Sequence, residues 1–176
     1  MSAATDLPSL AVLGARVGAR LRARGETVAV SESSAGGLVS AALLAVPGAS
    51  AYFRGGAVLY SRRAGQALLG LTAEDMAGMR AETEPYALLV AGRVRDRHHA
   101  TWGLGESGAA GPSDSPYGDP AGRVCLAVVG ALARSQVIAN GSQDRAANMD
   151  LFARQLLHLF EQCLMAAPVH DATEAQ

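Results

Sequence analysis

Residues 27–46 read TVAVSESSAGGLVSAALLAV. The apolar run Thr27–Val30 passes through a turn of three serines, one glutamate, an alanine and two glycines, Ser31 to Gly37, into a second apolar segment that begins at Leu38. A strand that enters a helix through a glycine- and serine-rich turn is the repeating unit of α/β folds. Backbone N–H groups at such a helix start, together with the helix dipole, suit a phosphate, a carboxylate or an oxyanion. A serine on the turn can also be exposed for attack, as in nucleophile elbows. The plainer alternative is that Ser33 or Ser34 is an ordinary N-cap and the glycines allow close packing. From the pattern alone both stay open.

The flanking segments extend the α/β pattern. Leu10, Val12, Leu13, Val17 and Leu21 alternate with arginines, which predicts an amphipathic helix stopped at Gly25. GGAVLYS (55–61) predicts a second strand, RRAGQALLGL (62–71) a short helix, and LTAEDMAGM (71–79) a further helix capped by Thr72. Thr83 and Pro85 open a longer helix. ATWGLG (100–105) predicts a strand running into a long loop, GRVCLAVVG (122–130) and SQVIAN (135–140) two strands with a short link, and residues 145–167 a C-terminal helix. The short link suggests a hairpin and therefore a mixed sheet. The expected organisation is one domain over residues 8–166 with flexible ends at 1–7 and 167–176.

The chain has 176 residues, 49% of them hydrophobic and 18% charged, which suits a single globular core. A formal net charge of −1 gives no electrostatic case for nucleic acid or an anionic membrane. Residues 33–53 carry no charge, but Gly36, Gly37, Pro47 and Gly48 break them as a spanning helix. The start shows no basic segment followed by an apolar core, so no signal peptide is expected. Cys125 and Cys163 form no CxxC pair, which fits a reducing cytoplasm and gives no zinc site. All 15 basic residues are arginine. Arginine stays protonated, so no mechanism that needs a lysine base is open to this chain.

Two further stretches can carry chemistry. The segment 105–122, GESGAAGPSDSPYGDPAG, reads as a long loop inside a compact domain, and such loops are more often functional than idle. Its Glu106, Ser107, Asp114 and Asp119 suit a metal or sugar hydroxyls; for the two aspartates an ordinary surface turn is the better reading. The segment YFRGGAVLYSRR (52–63) ends a strand at Tyr60. Ser33, Tyr60 and Ser107 all fall at or just past carboxyl ends of strands, where ligands of α/β sheets gather. His98 and His99 sit at a helix end and His158 on a helix surface, without metal-ligand spacing.

SESSAGGLVSAALLAVPGASAYFRGGAVLYS (31–61), with GAAGP (108–112) and GRVCLAVVG downstream, resembles the CinA C-terminal domain family of competence/damage-inducible proteins. That family includes nicotinamide mononucleotide deamidases of NAD salvage. The resemblance covers roughly residues 8–166. It implies a three-layer α/β/α sandwich with a central mixed β-sheet, and an amidohydrolase that converts nicotinamide mononucleotide and water to nicotinate mononucleotide and ammonia. It also implies a cytoplasmic homo-oligomer that uses neither cofactor nor metal.

Of the family motif E-S-C-T-G-G, Glu32, Ser33, Gly36 and Gly37 match, while Ser34 replaces the cysteine and Ala35 the threonine. The nucleophilic serine therefore maps to Ser33. Of Y-[ST]-N-x-x-K, Tyr60 and Ser61 match, Arg62 replaces the asparagine and Gly65 the lysine that activates the serine. The motif [TS]-G-I-A-G-P runs from Ser107 through Gly108, Ala109, Ala110 and Gly111 to Pro112, and a family arginine maps to Arg145. Carried over, Ser33 attacks the carboxamide, the Ser34–Gly37 amides hold the oxyanion, Tyr60 with Glu32 manages the proton, and Arg145 contacts the phosphate. The alternative is a catalytically silent or repurposed member that binds a nucleotide or another small anion.

Overall fold

A computed structural model describes residues 7–168. The elements run α1 (Leu10–Arg24), β1 (Val28–Glu32), α2 (Leu38–Leu44), a 3₁₀ turn (Ala49–Ala51), β2 (Phe53–Val58), α3 (Arg62–Leu69), α4 (Glu84–Arg97), β3 (Trp102–Ala109), β4 (Arg123–Val129), β5 (Ala133–Ala139) and α5 (Arg145–Ala166). One five-stranded sheet has the order β2-β1-β3-β4-β5. β1 pairs in parallel with both β2 and β3, whereas β3-β4 and β4-β5 are antiparallel. The sheet is mixed, as the short 129–133 link requires.

Period-two alternation divides the core between the two faces. Val28 and Val30 of β1, Leu104 of β3 and Val124, Leu126 and Val128 of β4 face α1, α2 and α5, where they meet Leu13, Val17, Phe152, Leu156 and Phe160. The opposite face is built from small residues. Ala29 packs with Val90 and Val94, and Cys125 and Ala127 pack with Ala87 and Ala91 of α4. Gly103 and Gly105 of β3 let α4 approach this closely, because a Cβ on either would run into the Ala91 or Ala87 carbonyl. Trp102 and Phe160 close the larger core edge to face, with ring centroids 5.6 Å apart. The result is three layers: α1, α2 and α5, then the sheet, then α3 and α4.

Several expectations are corrected. Residues 73–78 form turns and no helix: Thr72 and Asp75 do make reciprocal capping bonds, but Gly78 turns left-handed (φ 70°) before a second helical turn can form. β3 runs on to Ala109, so Glu106 to Ala109 belong to a buried strand and the loop spans only 110–122. β2 ends at Val58, two residues before Tyr60. At the described ends the chain is tied down: the Leu7 carbonyl accepts from Arg154 (3.1 Å), and those of Ala167 and Pro168 from Arg24 (3.3 and 2.7 Å). The other residues expected to be flexible, 1–6 and 169–176, lie outside the described residues. Among the described residues no helix is long and apolar enough to cross a membrane; the uncharged stretch 33–53 is divided among a loop, α2 and the 3₁₀ turn.

Glycines of opposite consequence test this packing. Gly105→Val should lower the unfolding free energy by about 1–3 kcal/mol or more, because an inserted side chain meets backbone that cannot yield. Gly92→Ala, inside α4 with open space at its Cβ position, should raise it by about 0.5–1 kcal/mol. Urea unfolding of the three proteins checks both signs.

Candidate functional site

The connection from β1 through α2 to β2 lies on one face of the sheet, and that from β2 through α3 and α4 to β3 on the other. β1 and β3 are therefore the adjacent strands whose connections part to opposite faces, and the crevice beyond their carboxyl ends is where open α/β sheets hold ligands. A cavity of about 870 Å³ opens there. Ser33 and Ser34 border it after β1, Tyr60 after β2, Gly65 on α3, the Ser107–Gly111 run at the end of β3, and Arg145 at the start of α5. Ala35, Gly36, Gly37 and Glu32 do not border it.

The reason lies in two buried carboxylates. Glu106, on β3, reaches into the loop after β1. Its Oε2 accepts the Ser33 and Ala35 N–H groups, each at 2.8 Å, and its Oε1 accepts the Ser34 hydroxyl. Glu32 folds back onto α2: Oε2 accepts the Gly37 and Val39 N–H groups at 2.9 and 3.0 Å, and Oε1 accepts the Ser40 N–H at 2.9 Å and its hydroxyl at 2.7 Å. Gly36 and Gly37 supply the left-handed φ values (66° and 99°) that let the chain make this turn. The Gly36 N–H in turn donates to the Ser33 carbonyl at 3.2 Å. Two expectations are corrected here. The amides of Ala35, Gly36 and Gly37 are already bonded within the protein and are not open to a substrate oxyanion. Glu32 is a helix cap, held away from the cavity. A buried carboxylate requires such donors, and these two take five backbone N–H groups and the Ser34 and Ser40 hydroxyls. Burial pushes the Glu106 carboxyl above the ordinary range, against the lowering effect of its Ser34, Ala35 and Ser33 hydrogen bonds, and the Glu32 charge adds to the rise.

On the far rim, Arg145 bridges two of the expected residues. It donates to the Tyr60 hydroxyl at 3.0 Å and to the Gly111 carbonyl at 2.7 Å, which uses two of the five guanidinium N–H donors. Buried Asn148, one turn further along α5, donates to the Ala110 carbonyl (2.9 Å) and holds the end of β3 against the helix. Loop 110–122 is fixed mainly by Asp119, which pairs with Arg80 and, at 3.4 Å, with Arg123. The Arg80 hydrogen bond holds the Asp119 carboxyl below its ordinary range. Asp114 accepts the Ala121 N–H at 3.1 Å. Both aspartates thus serve the loop, and Glu106 is spent on the 33–35 turn. Among the described residues no group of three or more His, Cys, Asp or Glu is placed to hold a metal ion.

One cavity residue was not found by sequence reasoning. Glu82 borders the cavity with a left-handed backbone (φ 62°), uncommon for a residue with a side chain. Its N–H donates to the Ser107 hydroxyl at 3.1 Å, and its carbonyl accepts from Arg123 (2.8 Å) and the Cys125 thiol (3.3 Å). Its Oε2 is buried and has no hydrogen-bond partner among the described residues. Burial pushes its carboxyl up, partly opposed by the Ser115 hydroxyl. In the sequence AETEP (81–85) an acid beside Thr83 looks like part of a helix start, so no signal sets it apart. Gly65 is buried, and a Cβ there would come within 3.0 Å of Leu71 Cδ1, the movable end of a side chain. His98 bonds the Val94 carbonyl through Nδ1 (2.9 Å), and neither it, His99 nor His158 borders the cavity.

The fold is a mixed α/β/α sandwich with an open cavity at its switch point. The chain belongs to the CinA C-terminal domain family, whose model matches residues 11–164. A CinA-like protein of Anaeromyxobacter sp. (strain K) is 46% identical over 125 residues, 71% of this chain and 29% of that protein. A CinA-like protein of Myxococcus xanthus is 40% identical over 152 residues, 84% of this chain and 35% of that protein. The chain thus spans about a third or less of these curated relatives. Two solved structures cover nearly all of their own length: a CinA superfamily protein from Klebsiella pneumoniae (TM-score 0.83, 27% identity, 90% of this chain and 99% of that one) and a competence/damage-inducible protein from Agrobacterium tumefaciens (TM-score 0.81, 26% identity, 94% and 99%).

The buried Glu106 gives a signed pH test. Its folded-state pKa is raised, so ionising it in the folded protein is unfavourable, and its contribution to stability falls as pH rises from the ordinary carboxyl value through the raised one. Glu106→Gln keeps an acceptor for the two amides while the Ser34 hydroxyl reverses to accept. Its stability relative to the wild type should therefore increase with pH. Glu106→Ala leaves two amides and a hydroxyl unpaired and should cost about 3 kcal/mol or more at every pH. Urea titrations from pH 5 to 9 read both; a Glu106→Gln difference that is flat with pH would show that the Glu106 carboxyl is ionised alike in the folded and unfolded states and is not raised.

Proposed function

We propose that this chain is an amidohydrolase of nicotinamide mononucleotide or a closely related nucleotide amide, with slow turnover. One observation carries the reading: Ser33, Tyr60, Arg145 and the Ser107–Gly111 strand end border a single cavity of about 870 Å³. In this reading the nucleotide phosphate lies against Arg145, whose planar fork suits phosphate oxygens. Ser33 Oγ attacks the carboxamide carbon, the C–N bond breaks, and ammonia leaves with the serine proton. Water then hydrolyses the acyl-serine to release nicotinate mononucleotide.

The turnover is slow because Ser33 lacks an activating partner. Gly65 stands where relatives with the family motif carry lysine, Glu32 is committed to α2, and Glu106 is bonded to Ser34 and the loop amides. The same facts favour a second reading, a binding protein without turnover. The chain's oligomeric assembly and its place in the cytoplasm belong to the proposal as well.

Ammonia release with nicotinamide mononucleotide separates the two readings. Positioned acid–base groups contribute about 10²–10⁴-fold, so the unmodified protein should fall below lysine-bearing relatives by that order. Ser33→Ala should abolish what remains, and Gly65→Lys should raise it if the Leu71 side chain yields. Arg145→Ala should weaken nucleotide binding about tenfold or more by calorimetry. Binding without Ser33-dependent ammonia would establish the silent reading, and fast Ser33-dependent turnover would refute the part given to the missing lysine.

A further inference from the structure

We propose that Glu82 selects the ligand's functional group in this cavity: its carboxylate takes a hydrogen-bond donor such as a carboxamide N–H₂ and turns away a ligand that carries a carboxylate at the same place. The inference rests on the cavity being the nucleotide-amide site proposed above, and deepens it.

Four independent features converge on this side chain. Glu82 borders the cavity. Its backbone is held left-handed, a conformation that is strained for a residue with a Cβ. Contacts from two strands keep it there: Ser107 of β3 on its N–H, and Arg123 and Cys125 of β4 on its carbonyl. Finally, Oε2 is buried without a hydrogen-bond partner among the described residues. Buried acceptors are nearly always paired, so an unpaired one beside a cavity calls for a donor that is not protein.

The charges around Glu82 fit the role. Arg80 and Asp119 lie on the flanking segments and pair with each other; Arg123 on β4 pairs with Asp119 and bonds the Glu82 carbonyl, not its carboxylate. The neighbouring groups are the Cys125 thiol and the Ser107 and Ser115 hydroxyls. The carboxylate therefore keeps its charge available for a ligand, and its carboxyl protonates at a higher pH than an ordinary glutamate because of burial. An amide and the acid formed from it differ in one group at one position: the amide nitrogen donates two hydrogen bonds, whereas the acid oxygen is an anionic acceptor. A carboxylate facing that position favours the amide and repels the acid, so the same residue binds the substrate and expels the product.

Calorimetric titration of nicotinamide mononucleotide and nicotinate mononucleotide into wild type, Glu82→Gln and Arg145→Ala at pH 8 and pH 5.5 tests this. Wild type should prefer the amide by about 10- to 100-fold at pH 8, the span of a hydrogen bond to a charged group. The preference should narrow towards the lower pH, because burial raises the pH at which Glu82 protonates; the phosphate titrates alike in both ligands and cancels in the ratio. Glu82→Gln should bring the ratio near one, mainly by gaining affinity for the acid, and should remove its pH dependence. If Glu82→Gln misfolds by circular dichroism, Glu82→Asn, which tolerates a left-handed backbone, supplies the same comparison, and the wild-type pH dependence stands by itself. An unchanged ratio in the glutamine variant, with both ligands weakened by Arg145→Ala, overturns the role of Glu82 and leaves the nucleotide site intact. Failure of wild type to bind either nucleotide overturns both.

Discussion

The Glu106 carboxylate, fixed in the central strand β3, accepts two backbone amides and a hydroxyl from the loop that follows β1. Taking a carboxylate out of water costs several kcal/mol, and three converging donors are what offset it. The bond set therefore locks the two central strands together at the end where the sheet opens, and it dictates which atoms of the 33–37 turn remain available. The turn that looks most like an anion cradle already holds an anion, one that belongs to the protein. Glu32 completes the arrangement by filling the N-terminus of α2. The cations left at the cavity are exposed Arg62 and Arg145, and Arg145 joins two of its walls, between Tyr60 and Gly111.

The other wall depends on the shallow face of the sheet. Gly103, Gly105, Cys125 and Ala127 leave little side-chain volume between the strands and α4, so the helix sits close to the sheet. That depth carries the residues just before Glu84 down onto β3 and β4. It is why the backbone of Glu82 can be reached by Ser107, Arg123 and Cys125 at once. A larger residue at either strand glycine would lift α4 and withdraw Glu82, so a packing choice made in the middle of the sheet reaches the chemistry at its edge.

Most of the architecture was legible in the sequence because it follows from local signals. The strand–turn–helix at 27–46, the cap at Thr83 and the hairpin 123–139 each rest on residues close in the chain. Placement of Ser33, Tyr60 and Ser107 around one opening followed from strand ends, and Arg145 from the family resemblance. The misreadings share a cause. Glu106 looked like a loop residue because glycine and serine surround it, yet those small residues are what the close α4 packing and the Ser33 turn require of a strand. The roles of Glu32 and Glu82 depend on partners far along the chain or on a backbone angle, and composition carries neither. Thr72 does form its cap, but no apolar period continues long enough to turn a cap into a helix.

The choice of basic residues limits how protons can move in this cavity. Arginine does not release its proton near neutral pH, and the described histidines stay outside the site. Glu106 has its oxygens in bonds to the loop, and the Tyr60 hydroxyl is already in contact with a guanidinium. Of the groups bordering the cavity, Glu82 is the one carboxyl, among the described residues, that combines an unpaired buried oxygen with a pKa moved towards neutrality. A lysine beside Ser33 would accept the serine proton directly. Without it, among the described residues no group that Ser33 touches is free to take that proton, and the raised carboxyl at Glu82 acts on the ligand through its charge and its unpaired oxygen.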